Sequence, residues 1–135
     1  MKLEGGCYCR KIRYQAVGEP MLSAQCHCRP CAYFSGGAAN MLMLMPPEGF
    51  QYTAGAPRQF KRDDRERAVT REFCGDCGTH LLTRRPGLRA IILKAGTFDD
   101  PSQFGMAQMA INTRDRQAFN CIAEGLPTFE ELPPR

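Results

Sequence analysis

Apolar side chains recur at every second position over short stretches of the chain. Residues 11–17 place Ile12, Tyr14 and Ala16 on one face. Residues 21–26 and 40–45 are short and apolar, and residues 67–73 and 79–83 flank a tight cysteine-bearing turn. Residues 89–95 carry Ile91, Ile92 and Leu93. Residues 103–111 set Phe104, Met106, Met109 and Ile111 among small residues. Short stretches with a period of two predict strands. Gly and Pro punctuate the chain throughout, as turns between strands require. Helical signal is confined to a turn at 30–35, ended by Ser35-Gly36-Gly37, and a second at 114–120. Met41, Met43 and Met45 fall on one strand face, which predicts core packing rather than a methionine metal site. Residues 61–67, KRDDRER, mix both signs and predict a solvated hairpin loop. The pattern predicts a mainly β chain, a single domain over residues 1–135, with few or no long helices.

A chain of 135 residues buries roughly two thirds of its unfolded surface, so its eight cysteines are not a substitute for a core. The start, MKLEGGCYCR, holds no apolar run of signal length. The longest apolar stretch, 38–45, is interrupted by Asn40 and is too short to span a bilayer. The expectation is a soluble, cytoplasmic protein with no membrane partner. There thiols stay reduced, and clustered cysteines bind metal or do chemistry rather than form a disulfide framework. The formal charge of +4 suggests nucleic acid at first sight. Seven thiolates would remove seven charges and two zinc ions restore four, leaving +1. The basic balance then argues little for a nucleic-acid partner.

The cysteines sort into three clusters and Cys121. Cys74-Gly75-Asp76-Cys77-Gly78 is a C-x-x-C-G turn. Two thiolates grip one metal there, backbone N–H groups point at sulfur, and the glycine supplies a positive φ after the second ligand. In Cys7-Tyr8-Cys9, side chains two apart on an extended segment share a face. Cys7, Cys9, Cys74 and Cys77 together predict a closed four-cysteine site for structural zinc, joining segments nearly seventy residues apart. Cys26, Cys28 and Cys31 remain as C-x-C-x-x-C, with His27 turned the other way. Three ligands and one open position are the layout of a catalytic zinc site. Three thiolates make that zinc a weak Lewis acid, better suited to holding an incoming thiol as thiolate than to activating water. Such a thiolate is a nucleophile for a carbonyl carbon, and the reverse reaction cleaves a carbon–sulfur bond. The pair Cys28–Cys31 also admits a redox reading, which needs a sustained helix, whereas Ser35-Gly36-Gly37 stops any helix early. His27 and His80, the only histidines, each lie beside a cysteine cluster, where supporting a ligand or plain packing are both open.

GGCYCRKIRY, CHCRPCAYFSGG, REFCGDCGTHL, AGTFDDP and EGLPTFEELP, in that order, resemble the glutathione-dependent formaldehyde-activating enzyme family, which includes centromere protein V. The resemblance implies coiled antiparallel sheets, a zinc-bound β-tent similar to methionine sulfoxide reductase B. It implies two zinc ions per chain, a structural one on Cys7, Cys9, Cys74 and Cys77 and a second on Cys26, Cys28 and Cys31. It implies a carbon–sulfur lyase that joins a glutathione-like thiol to a small aldehyde such as formaldehyde. Arg10 stands where the family usually has glycine, and Ala32 where a basic residue often follows the third cysteine. Arg29, Arg84 and Arg85 are candidates to meet the carboxylates of glutathione. Two other readings stay open: a non-catalytic zinc-stabilised binding module, and a thiol or sulfoxide redox protein using Cys28–Cys31 or Cys121. Cys121 is expected to be a buried free thiol rather than a nucleophile.

Overall fold

Alternation in the central segments is resolved as strands that are covered on both faces. The computed structural model describes residues 1–134. Strands β1 (Lys2–Gly6), β2 (Arg13–Val17) and β5 (Phe50–Ala54) form a three-stranded antiparallel sheet in the order β1-β2-β5. The other strands are β3 (Leu22–Cys26), β4 (Asn40–Met45), β6 (Arg58–Phe60), β7 (Thr70–Phe73), β8 (His80–Arg84), β9 (Ile91–Lys94) and β10 (Met109–Ile111). They form a seven-stranded sheet, β10-β3-β4-β9-β8-β7-β6. Every pairing is antiparallel except β10 beside β3. The architecture is mainly β, its sheets are not closed into a barrel, and it holds one α-helix among the described residues, α1 (Arg29–Ser35). Among the described residues no helix is long and apolar enough to cross a membrane.

Two cores flank β4 and β9. Met43 and Met45 pair with Leu93 and Ile91 and pack with Leu3, Tyr14 and Ala16 of the smaller sheet. Leu42 and Ile92 point the other way, into a second core with Ala24, Ile111 and the partly buried Phe129. The methionine face is therefore core at Met43 and Met45, whereas Met41 is exposed at the strand's edge. Cys7 and Cys74 belong to the first core, Cys26 and Cys31 to the second.

Local chemistry explains where the alternation misleads. Residues 103–111 do not form one strand. Asp100 caps a 3-10 helix, Pro101–Phe104, by accepting from Ser102 N–H, and Gly105 then turns at φ +67°. Met106 is left exposed, and only Met109–Ile111 pairs. The 114–120 segment contains a 3-10 turn, Thr113–Asp115, rather than a helix. Residues 61–67 are an exposed loop between the paired strands β6 and β7, as the mixed charges predict. All three residues of β6 are exposed, so no apolar pattern marks this edge strand. Its Gln59 donates to Glu72, a buried carboxylate that also accepts from Tyr52 and Arg84 at 2.6 Å each. Burial would raise the Glu72 pKa, but these three donors, Arg84 foremost, hold it below the usual range. The network ties β5, β6, β7 and β8 together through one carboxylate.

α1 starts because Cys28 is extended and its Sγ accepts the Cys31 N–H, with Pro30 in the first turn. It stops at Gly36, which adopts φ +75°. Seven residues make about two turns, too short for the sustained helix of a dithiol oxidoreductase.

Candidate metal centres

The first centre joins two turns. Cys7-Tyr8-Cys9 is a turn after β1 rather than the extended segment expected from its spacing. Arg10 N–H donates to the Cys7 carbonyl, Cys7 N–H to Ile12, and Ile12 N–H to Cys7 Sγ at 3.2 Å. That closure needs Arg10 at φ +69°. Left-handed backbone costs a non-glycine residue about 1–2 kcal/mol, so a glycine would suit this position better. Arg10→Gly is expected to stabilise the fold by about 1 kcal/mol and raise the melting temperature a few degrees in a thermal scan. A lower melting temperature would sink this account of the turn.

The β7–β8 turn answers it. Asp76 and Cys77 N–H groups both point at Cys74 Sγ, at 3.4 Å. Gly78 N–H bonds the Cys74 carbonyl, and Gly78 takes φ +80°. The turn is thus built as its C-x-x-C-G spacing predicts. Tyr8 N–H to Thr79 Oγ1 at 3.0 Å and Lys11 to Asp76 at 3.0 Å bind the two turns to each other. Thr79 also bonds Cys77 and holds its thiol down to about 6. The sulfurs of Cys7, Cys9, Cys74 and Cys77 lie within 4.8 Å of one another. Zinc–sulfur bonds of about 2.3 Å in a tetrahedron put sulfurs about 3.8 Å apart. Cys7 and Cys9 sulfurs are 3.5 Å apart, Cys9 and Cys74 sulfurs 3.8 Å. All eight cysteines are free thiols, so these are not disulfides. The set fits a tetrahedral metal ion.

The second centre lies at the end of β3 and the start of α1. Cys26, Cys28 and Cys31 sulfurs also lie within 4.8 Å of one another, and no histidine or carboxylate joins them among the described residues. Each sulfur accepts one N–H: Cys26 from Asn112 at 3.3 Å, Cys28 from Cys31 N–H at 3.3 Å, Cys31 from Asn40 at 3.6 Å. Hydrogen bonds from Cys28 and Cys31 hold the Cys26 thiol far below its usual range, while the same neighbour, Cys26, pushes Cys28 and Cys31 up. Three thiols this close resist joint ionisation unless a cation sits among them. The donor set therefore fits a dication with one position left open.

Sequence reasoning does not single out Asn40 or Asn112 as site residues. Asn40 carries a signal, as the one polar residue inside an apolar run. Asn112 carries none. It adopts φ +54° after β10 and is fixed by its N–H to the Glu131 carbonyl at 3.0 Å. Asn112→Ala is expected to weaken metal binding at the second centre about 10–100-fold with the fold unchanged. Competition with a chromophoric chelator measures it, and wild-type affinity would remove Asn112 from the site.

His27 is turned away from the sulfurs, with Nε2 3.0 Å from Gln25 Nε2. His80 lies between Phe34 and Phe73, with ring centroids at 4.6 and 5.5 Å. Arg84 is engaged by Glu72, while Arg29, over the Tyr33 ring, and Arg85 are exposed. Cys121 is exposed, contrary to the expected buried thiol, because it falls in the irregular loop after the 3-10 turn. Two cations that sequence reasoning passed over do reach the second centre. Arg71, 8% exposed, lies over the Phe34 ring at 4.1 Å. Burial lowers its pKa and that of Lys94, and for both the cysteine cluster is the attraction that opposes it. Beside Cys31 a cavity of about 330 Å³ is lined by Phe34, Asn40, Met41, His80 and Lys94.

One closed and one open cysteine centre, set in separate cores of a mainly β fold, define a protein able to hold two metal ions. Residues 2–115 match the family described as glutathione-dependent formaldehyde-activating enzyme, and the chain belongs to that family. The EGLPTFEELP stretch lies beyond the matched residues. No curated protein matches the chain. The crystal structure of a Rhodobacter sphaeroides protein, a structural genomics target, is similar in fold. It is 18% identical with a TM-score of 0.58, over 79% of this chain and 97% of that one.

Proposed function

We propose that the chain, acting as a single unit over residues 1–135, is a zinc-dependent carbon–sulfur lyase that adds a low-molecular-weight thiol to a small aldehyde. The observation that carries this reading is the second centre: three hydrogen-bonded sulfurs, no fourth protein ligand among the described residues, and a cavity at Cys31. Family membership supports the glutathione and formaldehyde chemistry. Cys7, Cys9, Cys74 and Cys77 would hold one zinc for structure, and Cys26, Cys28 and Cys31 the other. Zinc in an all-sulfur site supplies a low-pKa berth for a substrate thiol at neutral pH.

The chain's own groups do the rest. Asn112, Asn40 and the Cys31 N–H fix the three cysteines, so the open position is set before substrate arrives. In this reading the cavity would hold the aldehyde beside the substrate sulfur, replacing a bimolecular encounter by an oriented one. The sulfur lone pair forms the C–S bond, the carbonyl π pair moves to oxygen, and that oxygen takes the proton released by the thiol. The reverse sequence cleaves the bond. Eight free thiols fit the reducing cytoplasm.

The test is adduct formation from glutathione and formaldehyde, followed against the uncatalysed background. Acceleration that tracks zinc content is expected. No acceleration with glutathione or with other cellular thiols would leave a non-catalytic zinc-stabilised binding module as the function.

A further inference from the structure

His80 is a polar ring held in an apolar clamp on the cavity wall. It starts β8 and pairs with Phe73. Its ring stacks on that Phe73 at 5.5 Å and tilts against Phe34 of α1 at 4.6 Å. Phe34 follows Cys31 by three residues, so both stand on one face of the helix. Packing on Phe34 therefore sets His80 on the side of α1 that carries Cys31, and the two residues line the same cavity. The closed centre fixes the ring from the other direction. Thr79, its chain neighbour, accepts the Cys74 N–H at 2.9 Å on its carbonyl. The Thr79 hydroxyl accepts the Tyr8 N–H at 3.0 Å and bonds Cys77 Sγ at 3.2 Å. His80 is thus clamped between the two centres.

The fold does not use its nitrogens. Nδ1 is buried and has no hydrogen-bond partner among the described residues. Nε2 is not enclosed in this way, and none of those residues bonds it. Buried polar groups are nearly always paired, and the exceptions call for a functional explanation. A proton on Nδ1 would be a buried N–H without an acceptor, the rarer and costlier kind of orphan. A proton on Nε2 meets the cavity instead. Burial, then Lys94 and Arg71, hold the His80 pKa below its ordinary value, so the ring is neutral near neutral pH and has one proton to place.

We propose that His80 is a catalytic residue, whose Nε2–H faces the cavity beside Cys31 and donates a hydrogen bond to the aldehyde oxygen. This rests on the lyase reading for the word aldehyde, but the carbonyl site itself can be tested without turnover. As the sulfur lone pair forms the C–S bond and the carbonyl π pair moves to oxygen, the Nε2–H offsets the charge that develops there. The oxygen then takes the proton released by the thiol, so His80 ends the reaction with its own proton in place. In the reverse direction the same donor holds that oxygen as the C–S bond breaks.

The chain has two histidines, which makes the test direct. Histidine labelled with heavy nitrogen in the ring gives magnetic resonance signals from His27 and His80 alone, and His80→Leu assigns them. In the zinc-loaded full chain His80 is expected to carry its proton on Nε2. Formamide, an unreactive small carbonyl, should shift that signal saturably and leave His27 in place. In assays with glutathione and formaldehyde, His80→Leu should lower kcat about 100-fold and change KM far less. His80→Gln, which keeps an N–H donor, should recover most of the loss. Zinc content and melting temperature of each variant are checked first, and His80→Met replaces His80→Leu should the latter not fold. A proton on Nδ1, no response to formamide, or an unchanged kcat in His80→Leu each overturns the proposal, as does a His80→Gln protein as slow as His80→Leu. Formamide binding at His80 in a wild type that accelerates no thiol–aldehyde addition would uphold the carbonyl site and defeat the lyase reading.

Discussion

Cys74→Ser is expected to give a chain that retains no zinc at the first centre and does not hold its native fold. Cys74 is 2% exposed, packs in the larger core and accepts two backbone N–H groups. Its sulfur faces that of Cys9, sixty-five residues away in sequence. Zinc bound to such a set contributes about 10–16 kcal/mol in small zinc domains, against a net stability of about 5–15 kcal/mol for a typical domain. Loss of the metal therefore exceeds what the remaining contacts can offset. Metal analysis and circular dichroism read the result, and excess chelator on wild type should reproduce it. A soluble, native-like Cys74→Ser protein with two zinc ions would refute the structural role.

Cys28→Ser should behave in the opposite way. One of two zinc ions is lost, thiol–aldehyde acceleration falls to background, and the fold survives with a melting temperature within several degrees of wild type. The asymmetry has a local cause. Cys28 caps α1, and a serine hydroxyl at that N-cap still accepts the Cys31 N–H. The second core keeps Ala24, Leu42, Ile92 and Ile111, with Phe129 packed on them, whatever occupies the cysteines. Unfolding of this variant would count against an open, functional centre, and retention of both zinc ions would remove Cys28 from the ligand set.

Much of the first centre was readable residue by residue, because its geometry is local. Gly78 has to follow Cys77 in a turn that closes on Cys74, and it does. Spacing alone puts the C-x-C pair at the same centre without fixing its backbone. An extended segment and a tight turn both bring Cys7 and Cys9 together, and spacing does not distinguish them; the left-handed Arg10 does. Strand alternation located the central strands, whose two faces are both apolar, and missed β6, whose residues are all solvent-facing. It overran at 103–111 because Asp100-Pro101-Ser102 turns the chain through a cap that hydrophobicity does not register. The second centre's surroundings were the least legible. Arg71 and Lys94 are charged residues on strands, and it is Phe34 of α1 that lies under the Arg71 guanidinium and lines a cavity with Lys94. Asn112 depends on a residue nineteen positions later.

That last dependence sets a timetable. The C-terminal segment runs beside β10, with Ala110 N–H on Pro127, Phe129 N–H on Ala110 and Asn112 N–H on Glu131. The open centre's three sulfurs are synthesised by Cys31 and the closed centre's four by Cys77, whereas the anchor of Asn112 comes only with Glu131. At translation rates of about 5–20 residues per second, those intervening residues take roughly 3–10 s. During that interval Cys26, Cys28 and Cys31 are present without their cover. Until that cover is in place, the nascent chain would present three neighbouring thiols to whatever ions and oxidants surround the ribosome. Slowing synthesis after Cys77 would lengthen that exposure without touching the finished protein.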